Sequence, residues 1–253
     1  MSLFREKLYI STTAEDATVL AGEYGLGLEI ADFCTAMNMD VLFREKDAAV
    51  REKMRAADRF VFHAPFSELC PAAIDPLVRE VTRRRYRQAI SLAEDYGIKK
   101  LVIHSGFIPH VYFPEWYIPE SVGFWKDFLS ELPESMTVCL ENVMESGPEL
   151  LRDIVSGVND PRLRACLDTG HAFSHTPDPE LTGWIDTLAP YLGHVHIHNN
   201  DGAADRHRPL GEGRIDMRSV LDRILSRVPE ATFTVENMLA APSVDWLRTN
   251  DYI

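Results

Sequence analysis

Eight short apolar segments alternate with helical patterns along the whole chain, and this alternation restricts the fold more than any other feature. Short buried strands that alternate with helices indicate a parallel sheet covered on both faces. Eight repeats of the unit predict closure into a single (β/α)8 TIM barrel of the α/β class, with no open sheet. The segments are LYIST (8–12), GLGLEIADFC (25–34), RFVFHAPF (59–66), KLVIHSGF (100–107), TVCLENV (137–143), RACLDTGH (164–171), GHVHIHNND (193–201) and TFTVEN (232–237).

The clearest helical pattern covers residues 76–97, where Leu77, Val81, Tyr86 and Ile90 form an apolar stripe and a glycine ends the helix. The length of 253 residues is close to the roughly 250 typical of one barrel, so we expect a single domain over 1–253. No phosphate-binding glycine motif is present, which disfavours a nucleotide-binding open sheet. The other predicted helices span 14–25, 45–57, 119–132, 148–158, 178–192, 216–228 and 243–250.

The overall charge restricts the partners of this protein. A formal net charge of -13 disfavours nonspecific binding to nucleic acid, whose phosphates require a basic surface. The basic run RRRYR (83–87) is expected to form a solvated helix face balanced by acids of the same helix. No apolar run approaches the roughly 20 residues that span a bilayer, and the N-terminus is unlike a signal peptide.

The four cysteines show no CxxC spacing, and Cys139 and Cys166 lie inside apolar strand segments. Buried free thiols are the expected state of such cysteines. Free thiols indicate a reducing compartment, so the expected location is the cytoplasm.

Residues that can bind a divalent cation stand near the ends of six successive strand segments. A parallel barrel gathers the C-terminal ends of its strands on one face, so these side chains should meet there. Carboxylate and imidazole groups suit zinc, manganese, cobalt or iron(II). The sequence therefore predicts a metal site at the C-terminal ends of the strands. Its candidate residues are His63, His104, Glu141, Asp168, His171, His196, Asp205, His207 and Glu236.

Individually, several of these residues have simpler explanations. His194, His196 and His198 fall on one strand face by the period of two, and each taken alone is better explained as a packed histidine of a polar barrel interior. Asp168 could cap a following helix. Glu141 and Glu236 could each pair with an arginine. The metal site is favoured because all of these residues occur together.

At these residues the chain resembles the xylose isomerase-like barrel superfamily, which includes sugar epimerases and endonuclease IV (AP endonuclease family 2). The resemblance extends from roughly residue 8 to 238. The resemblance to the ketose 3-epimerase branch implies one divalent metal held by four residues. Two of them, Glu141 and Glu236, would also act as an acid/base pair. His196 is assigned because GHVH matches the GHxH stretch of the family, and His171 would contact the substrate. The four implied ligands are Glu141, Asp168, His196 and Glu236.

The resemblance to the endonuclease IV branch implies a cluster of three zinc ions instead. His63, His104 and Glu141 would surround one ion, and Asp168, His196 and Glu236 a second. The third ion would be held by His171, Asp205 and His207, with Glu141 bridging the first two ions. RHRPLGEG (206–213) also looks much like the loop after strand 7 of that branch.

Three functions follow from these alternatives. The first is a sugar or sugar phosphate isomerase or epimerase, in which glutamates transfer a proton through a metal-stabilised enediolate. The second is a phosphodiesterase that incises DNA at abasic sites. The third, an inert binding or storage barrel, is disfavoured by the complete ligand set. The loop 63–76 is almost uncharged, which suits a small substrate, and the aromatic segment 111–125 could stack on a sugar or cover the site, or simply pack over the barrel mouth.

We favour the first function, with a small carbohydrate as substrate. The expected cofactor is a divalent metal, zinc or manganese, with one to three ions. Nucleic acid is a less favoured partner, and a homodimer is an assembly that the resemblance implies.

Overall fold

The computed structural model describes residues 4–176, 178 and 180–253. Each strand pairs in parallel with the next one along the chain, and the last pairs with the first, so the sheet closes into a barrel. The predicted (β/α)8 barrel is therefore confirmed. The strands are β1 (Leu8–Ser11), β2 (Gly27–Ile30), β3 (Phe60–His63), β4 (Lys100–His104), β5 (Thr137–Glu141), β6 (Leu163–Asp168), β7 (Leu192–Ile197) and β8 (Thr232–Val235).

The strands direct alternate residues into the barrel and towards the surrounding helices. In β7, Val195 and Ile197 belong to the large apolar core that the strands share with the helices. His194 and His196 point the other way and contact Glu29 of β2 across the barrel interior. This alternation confirms the period of two that the sequence predicted for this strand. It also confirms the polar interior that was the alternative explanation for the histidines.

Ten α-helices are found in the described part of the chain. Pro76 opens α4, where the Asp75 carboxylate accepts a hydrogen bond from the Leu77 amide at 2.8 Å, as expected of an N-terminal cap. The helices are α1 (Ala17–Tyr24), α2 (Ala36–Asp40), α3 (Phe43–Lys53), α4 (Pro76–Asp95), α5 (Pro114–Leu129), α6 (Glu149–Val158), α7 (Thr169–His175), α8 (Thr182–Leu188), α9 (Met217–Arg227) and α10 (Ala241–Thr249).

Several helices differ from the sequence prediction, and α2 was not predicted. Helix α5 begins at Pro114, five residues before the expected start, and includes Pro119 in its interior. Burial of Tyr117 and Trp125 offsets the hydrogen bond that an internal proline removes. These two rings of the aromatic segment pack in the core, whereas Phe113 and Trp116 are exposed. Helix α7 was not predicted, because it follows β6 without a loop. The predicted helix 178–192 forms only as α8, and Pro179 and residues 1–3 lie outside the described residues.

The arginines of α4 are paired differently from the prediction. Arg83 and Arg87 contact Glu131, just after α5, at 2.9 and 2.6 Å, and Arg85 contacts Asp40 of α2 at 2.8 Å. The expectation that acids of the same helix balance this run was therefore wrong. Tyr86 is buried between the arginines, so the long side chains on either side of it extend towards the neighbouring helices.

The four cysteines are free, and Cys139 and Cys166 are buried, as predicted. Among the described residues, no helix combines the length and the apolar character needed to cross a membrane.

Candidate metal centre

The nine predicted residues converge at the C-terminal ends of the strands. Seven of the nine line one cavity of about 390 Å³ at the barrel mouth. The other two, Asp168 and His196, are fully buried and contact the lining residues. The topology thus brings together side chains from β3 to β7 and from the segments that follow β6, β7 and β8.

Glu141 lies at the centre of the site, with four imidazoles around its carboxylate. Its Oε2 is 3.5 Å from Nε2 of His63 and 3.4 Å from Nε2 of His104. Its Oε1 is 3.2 Å from Nδ1 of His196 and 3.6 Å from Nδ1 of His171. Burial raises the pKa of Glu141, but its histidine neighbours, His196 foremost, lower it by more, so the net pKa is well below the ordinary value. Glu141 is therefore an ionised ligand candidate.

The donor atoms around Glu141 fit a divalent cation. Oε2 of Glu141 is buried and accepts no hydrogen bond from the described residues, although two histidine nitrogens lie near it. Nδ1 of His63 lies 2.9 Å from the Ala64 carbonyl, to which it donates, so in the neutral imidazole Nε2 directs its lone pair towards Glu141. Burial lowers the pKa of His104 to about 4, which keeps this imidazole in the neutral form that binds metals. A cation between these atoms would satisfy all of them.

A second group of donors surrounds Nδ1 of His196. This nitrogen is 3.2 Å from Glu141 Oε1, 3.3 Å from Glu236 Oε2 and 3.9 Å from Asp168 Oδ2. Burial raises the pKa of Glu236, but the positive charge of His196 outweighs this effect and leaves the pKa below its ordinary value. Three carboxylates from three different strand ends therefore face one imidazole nitrogen. The three carboxylates and His196 are the four metal ligands that the resemblance to both branches of the superfamily implies.

A third group lies nearer the surface. Oδ2 of Asp205 is 3.2 Å from Nε2 of His171 and 2.9 Å from Nε2 of His207. Ligand atoms of these three residues lie within 4.8 Å of one another, as do those of His63, His104 and Glu141. The structure thus brings together the outer sets that the resemblance to endonuclease IV implies.

Two buried residues of the site were not predicted as part of it. Glu29 of β2 is fully buried and contacts His196 and His194 through Oε1 and Oε2, at 3.0 and 3.1 Å. Nε2 of His198 lies 3.0 Å from Asp168 Oδ1, and its ring stacks on that of His207 at 3.9 Å. A lone acid in the apolar run GLGLEI was a sequence signal for Glu29.

Asparagines that follow the two glutamates fix the neighbouring segments. Asn142 accepts a hydrogen bond from the Asp168 amide at 2.9 Å and donates one to the Asp168 carbonyl at 3.1 Å. Asn237 donates to the His207 carbonyl at 2.8 Å. The repeated Glu-Asn pair was the sequence signal for these roles. The ion pairs of both glutamates are with histidines, so the predicted alternative of an arginine partner was wrong.

Asp168 has two roles. Its Oδ1 accepts a hydrogen bond from the His171 amide at 2.7 Å and so caps α7. The capping explanation is therefore correct, and it coexists with the position of the carboxylate in the site. Because α7 begins at once, His171 is brought back over the strand end, 3.5 Å from Asp168.

Comparison with known proteins agrees with this geometry. A family model described as the xylose isomerase-like TIM barrel matches residues 25–249. The chain belongs to this family. Within it, the chain is 30% identical to the uncharacterized protein MJ1311 of Methanocaldococcus jannaschii over 203 residues, which are 74% of this chain and 69% of that protein. It is 26% identical to a probable endonuclease 4 of Mycobacterium ulcerans over 186 residues, 68% and 71% of the two chains.

Solved structures of the xylose isomerase-like family resemble almost the whole chain. A D-tagatose 3-epimerase-like protein superposes with a TM-score of 0.72 and 26% identity, covering 97% of this chain and 96% of its own. A Thermus thermophilus protein, TTHB071, solved after soaking with zinc chloride, gives a TM-score of 0.75 and 27% identity, with 97% and 98% coverage. The family therefore includes both epimerase-like and endonuclease-like relatives of this chain.

Proposed function

We propose that this protein is a divalent-metal-dependent isomerase or epimerase of a small carbohydrate, working as one barrel domain. One observation supports this most strongly: the carboxylates of Glu141 and Glu236 lie 3.2 and 3.3 Å from the same nitrogen of His196. Both glutamates line a cavity of about 390 Å³, a size suited to a small ligand. Two carboxylates on one cavity can supply the base and, once one of them has taken up a proton, the acid that a proton transfer between carbon atoms or faces requires.

Glu141, Asp168, His196 and Glu236 are the residues proposed to hold the ion. Their carboxylate and imidazole donors suit zinc or manganese. When bound, such an ion supplies a Lewis acid that polarises a carbonyl group and makes the adjacent C–H more acidic.

The two glutamates are proposed to act on opposite sides of the reaction. One, in its ionised form, takes the proton from the carbon next to the carbonyl. The other first takes up a proton from solvent and then gives it to the carbon, on the opposite face in an epimerase. Their pKa values lie below the ordinary value, so both are ionised at neutral pH and either can begin as the base. His171 lines the cavity and is held in place by the Asn142 carbonyl at 3.0 Å, where it is proposed to contact the substrate.

The test is hydrogen exchange in deuterated water. The zinc- or manganese-loaded protein is incubated with a panel of ketoses and their phosphates, and deuterium incorporation next to the carbonyl is followed by NMR. We expect incorporation with at least one sugar, and its loss in Glu236→Gln with the structure retained. Glu134→Gln, an exposed change outside the site, serves as the control. Absence of exchange with every sugar would rule out this proposal.

A second candidate function is cleavage of a phosphodiester in abasic-site DNA. It is favoured by the two outer donor groups, since a single-ion epimerase does not require His63 and His104 together with Asp205 and His207. An incision assay on abasic-site DNA, run with the same metal-loaded protein, separates the two functions. Incision without sugar exchange would replace the first proposal with the second.

A further inference from the structure

A second cavity adjoins the candidate metal centre, and nothing in the metal chemistry accounts for it. It measures about 340 Å³ and lies among the segments that follow β3, β4 and β5. We call it the side pocket. Its lining is mainly apolar and includes Leu69, Val78, Phe107, Ile108, Tyr112 and Met144.

The side pocket and the metal-site cavity share part of their walls. Phe66, His104 and Val143 line both of them. The ring of Phe66 stacks on that of His104, with centroids 4.3 Å apart and an angle of 14° between the planes. The ring of Phe66, which is stacked on the candidate metal ligand His104, therefore faces both cavities. A ligand held at the metal site could extend past this ring into the side pocket.

Four apolar residues of the side pocket are accessible to solvent. Ile108, Met144, Phe66 and Val78 are 45%, 43%, 38% and 37% exposed, although all four are large and apolar. Contiguous exposed apolar surface of this kind marks a binding groove more often than a random surface does. The position beside the catalytic glutamates favours a part of the substrate as the group that covers it.

The charges around the two cavities bear on the class of substrate. Among the described residues, the lining of both cavities contains acids and histidines but neither lysine nor arginine. Glu68, at the side pocket, would repel an anion. A sugar phosphate normally requires a cationic side chain or a cluster of backbone amides for its phosphate. An apolar substituent, in contrast, would gain from leaving water.

We propose that the substrate is an unphosphorylated sugar that carries an apolar substituent, such as an aryl or alkyl group, and that the side pocket binds this substituent. The inference rests on the proposed function, since it places the sugar itself at the metal centre. The volume agrees with it: a cavity of about 150 Å³ accepts a benzene molecule, so about 340 Å³ accommodates a benzyl group with room for its linker.

The experiment compares matched ligands on the metal-loaded protein. Calorimetric titration measures the Kd of D-fructose, D-tagatose, D-psicose and D-sorbose, of their 6-O-benzyl ethers and of their 6-phosphates. Burial of an aromatic ring corresponds to roughly 10- to 100-fold tighter binding, so we expect this gain for at least one benzyl ether over its parent sugar. The 6-phosphates should bind no more tightly than the parent sugars.

Two variants of one segment identify the place of binding. Ile108→Ser introduces a hydroxyl into the side pocket. It should reduce several-fold the gain in affinity that the benzyl ether shows over its parent sugar. Val111→Ser is the control, because Val111 is 56% exposed on the same segment and does not line either cavity. Circular dichroism spectra and melting temperatures show whether both variants fold like the parent.

The outcomes separate this inference from the proposed function. A benzyl gain that Ile108→Ser reduces and Val111→Ser does not supports the side pocket, even if no sugar undergoes exchange. If a sugar undergoes hydrogen exchange but no benzyl ether binds more tightly than its parent sugar, the proposed function stands and the proposed role of the side pocket is wrong. Tighter binding of a phosphate, or no binding by any benzyl ether, would also overturn it.

Discussion

Oε1 of Glu29 lies 3.0 Å from Nε2 of His196, and neither side chain is exposed to solvent. Because an ionised carboxylate can only accept a hydrogen bond, this contact places a proton on Nε2 of the imidazole. The other nitrogen, Nδ1, faces Glu141 and Glu236. Glu29 thus holds the orientation of His196 and keeps the Nε2 proton in place, so that a metal ion would displace the proton of Nδ1, as carboxylates behind ligating histidines commonly arrange.

The first prediction concerns this carboxylate. Glu29→Gln should weaken metal binding roughly 10- to 100-fold, because the amide no longer fixes the imidazole proton and no longer offers a negative charge behind it. The measurement is a competition titration of the metal-free protein with zinc and a chromophoric chelator. It requires no substrate and therefore does not depend on the reaction.

Thr234→Val is the matched control for this variant. The Thr234 hydroxyl donates to the other oxygen of Glu29, Oε2, at 2.6 Å, so its loss disturbs the same carboxylate without touching the contact with His196. We expect its metal affinity to stay within about threefold of the parent. Equal affinity of Glu29→Gln and the parent protein would contradict the positioning role.

The second prediction concerns the number of ions. Oδ2 of Asp205 contacts both His171 and His207, so Asp205→Asn removes the charge that joins the outer group. If the outer group holds an ion, the variant should contain one ion per chain fewer than the parent. The measurement is elemental analysis of both proteins after equilibration with zinc.

Asp201→Asn provides the comparison for that experiment, because Asp201 pairs with Arg208 at 2.7 Å and belongs to none of the three donor groups. Its zinc content should match that of the parent. An unchanged zinc content in Asp205→Asn would show that Asp205 does not hold an ion, and it would favour the epimerase branch over the nuclease branch.

The ligands at the strand ends could be predicted from the sequence because one topological rule places them. In a parallel barrel every strand ends on the same face. The position of His63 or Glu141 at the end of its own strand is therefore enough to place it on that face. The contact of Glu29 with His194 and His196 joins residues 165 and 167 positions apart, and it depends on the register around the whole barrel. The lone acid in GLGLEI marks Glu29 as unusual, but no local pattern shows the register that brings it to the two histidines, so its role was missed.

Local signals also failed where tertiary packing outweighed them. Pro119 suggested a helix start, yet burial of Tyr117 and Trp125 extends α5 back to Pro114. The short α7 has no apolar periodicity to reveal it and depends instead on its cap at Asp168. The arginines of α4 pair with acids outside their own helix, on α2 and just after α5, since side chains of this length reach across a helix interface.

The third prediction concerns Asn142, whose side chain forms two hydrogen bonds with the backbone of Asp168. A buried hydrogen bond contributes about 1 kcal/mol, so Asn142→Ala should lower the free energy of unfolding by roughly 2 kcal/mol. It should also weaken zinc binding, because the Asp168 carboxylate loses its fixed position. Urea unfolding and the chelator titration measure the two effects.

Asn250→Ala is the comparison for Asn142, since the Asn250 side chain also makes two hydrogen bonds, with Trp246 and Arg218, but lies at the end of α10. It should cost less than about 1 kcal/mol, because water can replace partly exposed hydrogen bonds, and it should leave zinc binding unchanged. Equal effects of the two substitutions on zinc binding would contradict the role assigned to Asn142.

The last prediction concerns the pH dependence of stability and a buried acid beside the site. Glu145 is only 2% exposed; its carboxylate accepts hydrogen bonds from the Ser105 hydroxyl and, at 2.6 Å, from the Val143 amide. Burial raises the pKa of Glu145 above its ordinary value of 4.5 in spite of these hydrogen bonds, which lower it. The folded protein therefore keeps this proton at pH values where the unfolded chain has already lost it.

Because the folded state binds more protons in this window, the free energy of unfolding falls as the pH rises from about 4.5 through the folded pKa of Glu145. The contribution of one proton to this slope is at most about 1.4 kcal/mol per pH unit. Glu145→Gln lacks the effect, so its stability relative to the parent should increase with pH across this window and then level off. Urea unfolding of both proteins from pH 4.5 to 8 measures the difference, with the exposed Glu149→Gln as control. A difference that does not change with pH would show that Glu145 titrates alike in the folded and unfolded chains.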